Sequence, residues 1–118
     1  MARFLTDEWV DALRAIVPSV GETRVECSVV GGHDGDVKFH LAGNDVGVGA
    51  LADADVVFTA TYADATAIVR AELQPSVAFM QGRLKTAGDP GRLLELLAVT
   101  ATPAFRGALE RVAATTEF

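Results

Sequence analysis

Cysteine is nearly missing: Cys27 stands alone in 118 residues. A single thiol excludes an internal disulfide framework and suits a reducing compartment. Positive charge is also scarce. Ten Lys and Arg face 16 Asp and Glu, a formal net charge of −6. Such a chain has no long-range attraction to nucleic-acid phosphates. No stretch interleaves aromatic with basic residues either, so nucleic acid is not an expected partner. No apolar run approaches the ~20 residues that cross a bilayer. Asp7 and Glu8 come too early for a secretory leader, and the expected location is cytoplasmic.

Hydrophobic residues, by contrast, make up 50% of the chain, and the mean hydropathy is +0.29. At this length there is room for one core, so residues 1–118 are expected to form one domain. The excess of apolar residues then implies a dense core, a buried partner surface or an apolar cavity.

The hydrophobic period changes along the chain. Thr6 is a good N-cap, followed by Asp7 and Glu8 where a helix dipole favours acids. Leu5 and Val10 have the spacing of a hydrophobic staple, and Trp9, Leu13, Ile16 and Val17 recur at helical intervals. Pro18 ends that pattern. Val25, Cys27 and Val29 then alternate with polar neighbours, as do Val37, Phe39 and Leu41. Period two marks strands with one buried face, and the link GGHDGD makes the pair a hairpin. VGVGAL reads as a weaker third strand and ADVVFTAT as a fourth. Helical spacing returns over 62–70. Pro75 and Pro90 fit the first positions of two further helices, with Gly82 ending one and Asp89 capping the next. RLKTA lies between them as a fifth strand. A last helix starts at Thr102 and Pro103, where Phe105, Ala108, Leu109 and Val112 form a stripe. Hairpin links and segregated helices imply an α+β fold with a largely antiparallel sheet.

The run PSVAFMQGRLKTAGDPGRLLELL, residues 75–97, resembles the signature of the sterol carrier protein type 2 lipid-binding domain. The matching elements are Ala78, Phe79 and Met80, then Gly82, then Arg83, Leu84 and Lys85, then Gly88, Asp89 and the leucine-rich helix. The upstream stretch DADVVFTATYADATAIVRAEL is similar to the strand and helix that precede the signature. The resemblance covers roughly residues 22–99. Thr86 and Ala87 depart from it, standing where apolar and charged residues are usual. It implies a five-stranded, mostly antiparallel sheet with helices packed on one face. It also implies an apolar tunnel for a fatty acid, acyl-CoA, sterol or phospholipid. Phe79, Met80, Leu84, Leu93, Leu94 and Leu97 are the lipid-binding residues expected from it, joined by Trp9, Phe105 and Leu109. Periodicity alone favours these side chains filling a core.

Groups with chemical promise have simpler explanations. His33, Asp34 and Asp36 suit a hairpin tip as well as a metal site, and no metal or other cofactor is expected. His40 falls on the polar strand face. Cys27 falls on the apolar face, where cysteine behaves as a small hydrophobe. No Ser/His/Asp or Cys/His set is evident, so catalysis is not expected. The expected activity is non-catalytic binding or transfer of a hydrophobic ligand. The alternatives are a dimerising structural module with a filled core, or an accessory subunit of an enzyme acting on hydrophobic substrates. Transient membrane contact and a homodimer are both compatible with this pattern.

Overall fold

A computed structural model describes residues 2–18, 20–32, 35–43 and 45–118. His33 and Asp34 of the hairpin tip lie outside the described residues. The chain runs β1 (Ala2–Arg3), α1 (Asp7–Ile16), β2 (Arg24–Gly32), β3 (Gly35–Ala42), β4 (Asp45–Val48), β5 (Val56–Thr61), α2 (Tyr62–Val69), α3 (Pro75–Met80), β6 (Leu84–Gly88), α4 (Pro90–Thr100), α5 (Pro103–Ala114) and β7 (Thr116–Glu117).

Side-chain caps hold four of the helices. Thr6 Oγ1 accepts from Trp9 N, Thr61 Oγ1 from Asp64 N, Asp89 from Gly91 N and Arg92 N, and Thr102 Oγ1 from Phe105 N. Each satisfies amide donors that a helix start leaves without intrahelical partners. Pro75, Pro90 and Pro103 occupy first-turn positions, where a missing N–H costs nothing.

Five strands form the main sheet in the order β4-β3-β2-β5-β6. Three pairings are antiparallel and β2–β5 is parallel. The parallel pair requires a crossover: residues 49–55 leave the β4 edge and return beside β2. Leu51 N donates to Glu26 Oε1 at 3.0 Å, and Arg24 N donates to Asp55 Oδ2 at 2.9 Å. These bonds tie the crossover to β2 and account for the burial of Glu26.

Two glycines have close neighbours, and at Gly88 the neighbour is backbone. A Cβ on Gly88 would lie 2.1 Å from the Asp55 carbonyl oxygen, and its φ of +115° disfavours any side chain. A Cβ on Gly47 would lie 2.6 Å from Nε2 of His40, its partner across β3–β4. His40 is therefore half-buried instead of solvated, with Nδ1 3.0 Å from the Gly49 carbonyl oxygen.

The helices cover one sheet face. α1 packs at the β4 edge, where Arg14 Nε donates to the Val46 carbonyl at 2.8 Å. α5 touches α1, α2 and α4, and α3 lies on β6 and α4. A short parallel pair, β1 with β7, lies outside the main sheet and was not legible in the sequence.

Candidate functional site

The inward positions of the strands and the helices above them enclose an apolar space. Alternation sends Val25, Cys27 and Val29 of β2, Phe39 and Leu41 of β3, and Phe58 and Ala60 of β5 to the same side. The helices close over them with Trp9 and Leu13 of α1, Ala65, Ile68 and Val69 of α2, Pro75 of α3, Leu96 of α4, and Phe105 and Leu109 of α5. The result is a cavity of about 130 Å³. Among its lining residues only Trp9, Cys27 and Ser28 carry a polar side-chain atom, and the Trp9 indole N–H is already committed to Thr116 Oγ1 at 3.1 Å.

Aromatic packing shapes one end. Phe4 and Trp9 meet edge to face with centroids 4.9 Å apart, and Trp9 meets Phe39 at 5.4 Å and 82°. Both separations lie within the favourable range for such pairs.

Four of the nine residues expected to bind lipid reach the cavity wall: Trp9, Leu84, Phe105 and Leu109. Leu97 is buried and Leu93 packs against the core, but neither lines the cavity. Phe79, Met80 and Leu94 are 38%, 84% and 67% exposed. The reason is local. Pro75 and Ala78, three apart on α3, take its buried face, which turns Met80 away and leaves Phe79, next to Pro75 on the helix surface, at the exposed flank of that face. On α4 the buried positions are Leu96, Leu97 and Thr100, and Leu94 is out of phase with them. The expectation that Phe79 or Met80 faces a cavity does not hold. Nor does the cavity, at its present size, amount to a tunnel.

Sequence reading assigned the inner strand residues only to the core. Their alternation was the available signal, but alternation marks a buried face and cannot tell packed from hollow.

The site offers little chemistry. Burial, and secondarily the negative charge of Glu26, pushes the Cys27 thiol up to about 12. It is therefore protonated at neutral pH and a poor nucleophile. Among the described residues no group of three or more His, Cys, Asp or Glu is placed to hold a metal ion. No described helix is long and apolar enough to cross a membrane.

The fold recurs in solved structures. A crystal structure of sterol carrier protein 2 aligns over 98% of this chain and 100% of that one, with a TM-score of 0.65 and 20% identity. A conserved Thermus thermophilus protein, described as possibly a sterol carrier protein, aligns over 96% and 92%, with a TM-score of 0.67 and 18% identity. Palmitated SCP2L2 from Aedes aegypti aligns over 80% and 89%, with a TM-score of 0.63 and 20% identity. At these identities the likeness is one of fold. No curated protein matches in sequence. The SCP-2 sterol transfer family profile matches residues 15–100, most of the chain's length, and the chain belongs to that family.

Proposed function

We propose that this protein binds a hydrophobic ligand with a flexible acyl chain, without catalysing a reaction on it. The observation that carries this is the apolar cavity between sheet and helices, walled by Trp9, Leu84, Phe105 and Leu109. Its lining provides almost no hydrogen-bonding capacity, which selects hydrocarbon over polar ligands. Each CH₂ moved from water into such a lining contributes about 0.8 kcal/mol. Ordering the ligand offsets part of that gain.

Volume restricts how binding occurs. The cavity measures about 130 Å³, whereas small-molecule sites usually start at ~300 Å³. A long chain therefore enters by displacing wall side chains. The short helix α3, six residues long, has two buried residues, Pro75 and Ala78, and only Pro75 lines the cavity. We assign the widening to its side of the cavity. A polar headgroup then stays outside, since the wall offers it no partner.

Titration with a fluorescent fatty acid tests the proposal. Saturable emission, displaced by palmitic acid at about one molecule per chain, is the expected result. Emission that rises without saturation, or that palmitic acid does not displace, overturns it.

A further inference from the structure

A second recess lies beside the main cavity. It measures about 70 Å³ and is formed by residues 3–6, by Gly32 and Gly35 at the turn end of the β2–β3 hairpin, and by Tyr62 at the start of α2. Phe4 lines both spaces, so this one residue separates them. Its ring is buried against Trp9, Tyr62 and Phe118, with centroids 4.9, 5.4 and 5.0 Å away. The segment that carries it is nonetheless lightly anchored. β1 is two residues long, and Leu5 holds a φ of +67°, which residues with side chains seldom adopt.

The two spaces differ in chemistry. The main cavity is walled by hydrocarbon, whereas Arg3 is the one charged residue among the described residues that line the recess. Its side chain is exposed and has no ionic or hydrogen-bonded partner among the described residues. Arg14, Arg24, Arg83 and Arg92 each pair with a carboxylate. Arg106 and Arg111 pair with none, but they line neither space. The Thr6 hydroxyl at the recess is committed, donating to the Arg3 carbonyl at 2.6 Å and accepting from Trp9 N at 3.3 Å. Arg3 thus brings free donors to the recess, in a planar fork that matches a carboxylate.

Size narrows the ligand. Roughly 10–15 Å³ of such space holds one water-sized group. About 70 Å³ therefore takes a carboxylate and the first carbons behind it, but not a nucleotide or a glycerophosphate headgroup.

We propose that Arg3 binds the carboxylate of a fatty acid whose chain passes Phe4 into the main cavity. This rests on the proposal that the cavity takes an acyl chain, and it selects a free fatty acid over an ester, an alcohol or a sterol. The apolar wall excludes the charged end, and the recess outside that wall supplies its counter-ion. A shift of the Phe4 segment joins the two spaces, while the tail gains its room on the α3 side. Solvent screens a pair made by an exposed arginine, so the gain amounts to about fivefold in affinity.

Isothermal titration calorimetry near neutral pH, with lauric acid and with 1-dodecanol, tests the assignment. The two ligands share a chain length and differ in charge. Arg3→Gln should weaken lauric acid about fivefold and leave 1-dodecanol unchanged, and the loss should shrink in high salt. Arg3→Lys should keep part of the affinity, and Arg106→Gln should bind both ligands as wild type does. Wild-type protein that binds neither ligand overturns the cavity proposal, and this one with it. Three results overturn the Arg3 assignment and leave the cavity standing: Arg3→Gln that binds lauric acid like wild type, an equal loss for 1-dodecanol, or an equal loss in Arg106→Gln.

Discussion

The Trp9 indole N–H donates to the Thr116 hydroxyl at 3.1 Å, joining residues 107 positions apart. Thr116 Oγ1 in turn donates to the Val112 carbonyl at 2.6 Å, so one hydroxyl serves α1 and α5. The indole is 1% exposed and forms part of the cavity wall. Its orientation is thus set by a residue of β7, far from it in sequence. Thr116→Val keeps the shape and removes the acceptor, leaving a buried N–H unpaired. The expected loss is about 1–3 kcal/mol, measured by urea unfolding. An unchanged urea midpoint would show that the bond contributes nothing.

Trp9 emission should be blue-shifted in the native protein and move to longer wavelength on unfolding. Native emission typical of solvated tryptophan would contradict the packing of α1 through this side chain.

Filling the cavity should separate binding from folding. Ala60 lines it from β5 and sits opposite Leu84 across the β5–β6 pair. Ala60→Leu should leave thermal stability unchanged or slightly higher. It should weaken fatty-acid binding roughly tenfold, as expected if two CH₂ groups at ~0.8 kcal/mol each lose their place. Leu84→Asp goes further, setting a carboxylate against hydrocarbon, and should abolish binding where the variant still folds. Unaltered affinity in a folded Leu84→Asp protein would remove Leu84 from the site.

The helices and main-sheet strands were legible because their signals are local. Thr6, Thr61, Asp89 and Thr102 each bond amides a few residues away, and strand alternation repeats every second residue. The parallel β2–β5 pairing was not legible, since it depends on the course of residues 49–55 over β2. The β1–β7 pair is only two residues long per strand, too short to leave a period. For the site, Leu84 could be placed because it lies between outward Arg83 and Lys85. Phe79 and Met80 could not, because their direction depends on which face of a six-residue helix Pro75 and Ala78 occupy. The family signature identified the segment correctly. It did not say which of its apolar residues turn in and which turn out.

Gly88 appeared in the sequence as part of the family signature, and the structure gives it a specific role. Gly88→Ala would need to push the Asp55 carbonyl away while holding φ near +115°. Asp55 also accepts from Asp89 N at 2.9 Å, so the strain reaches the cap of α4. The expected cost is ~3 kcal/mol or more, since overpacking and strained backbone add. A variant that melts within a degree or two of wild type would contradict this geometry.

Cys27 links pH to stability. Its thiol value rises from 9.0 to about 12 in the folded protein. The native state therefore holds the proton more tightly than the unfolded chain. Its contribution is full below pH 9.0 and is lost as pH rises toward about 12. Stability should decline over that window, and less steeply in Cys27→Ala. Near neutral pH, iodoacetamide should modify native Cys27 at least ~100-fold more slowly than the urea-unfolded chain. Equal rates would show an accessible thiolate and contradict the raised thiol value.

Native mass spectrometry of the purified protein with excess palmitic acid tests the central claim most directly. The expected spectrum shows one added fatty acid per chain, with the adduct much reduced in Ala60→Leu at the same concentration. An unliganded wild-type mass at every concentration, with no shift in Tm on adding the fatty acid, would contradict the account of the cavity as a ligand site.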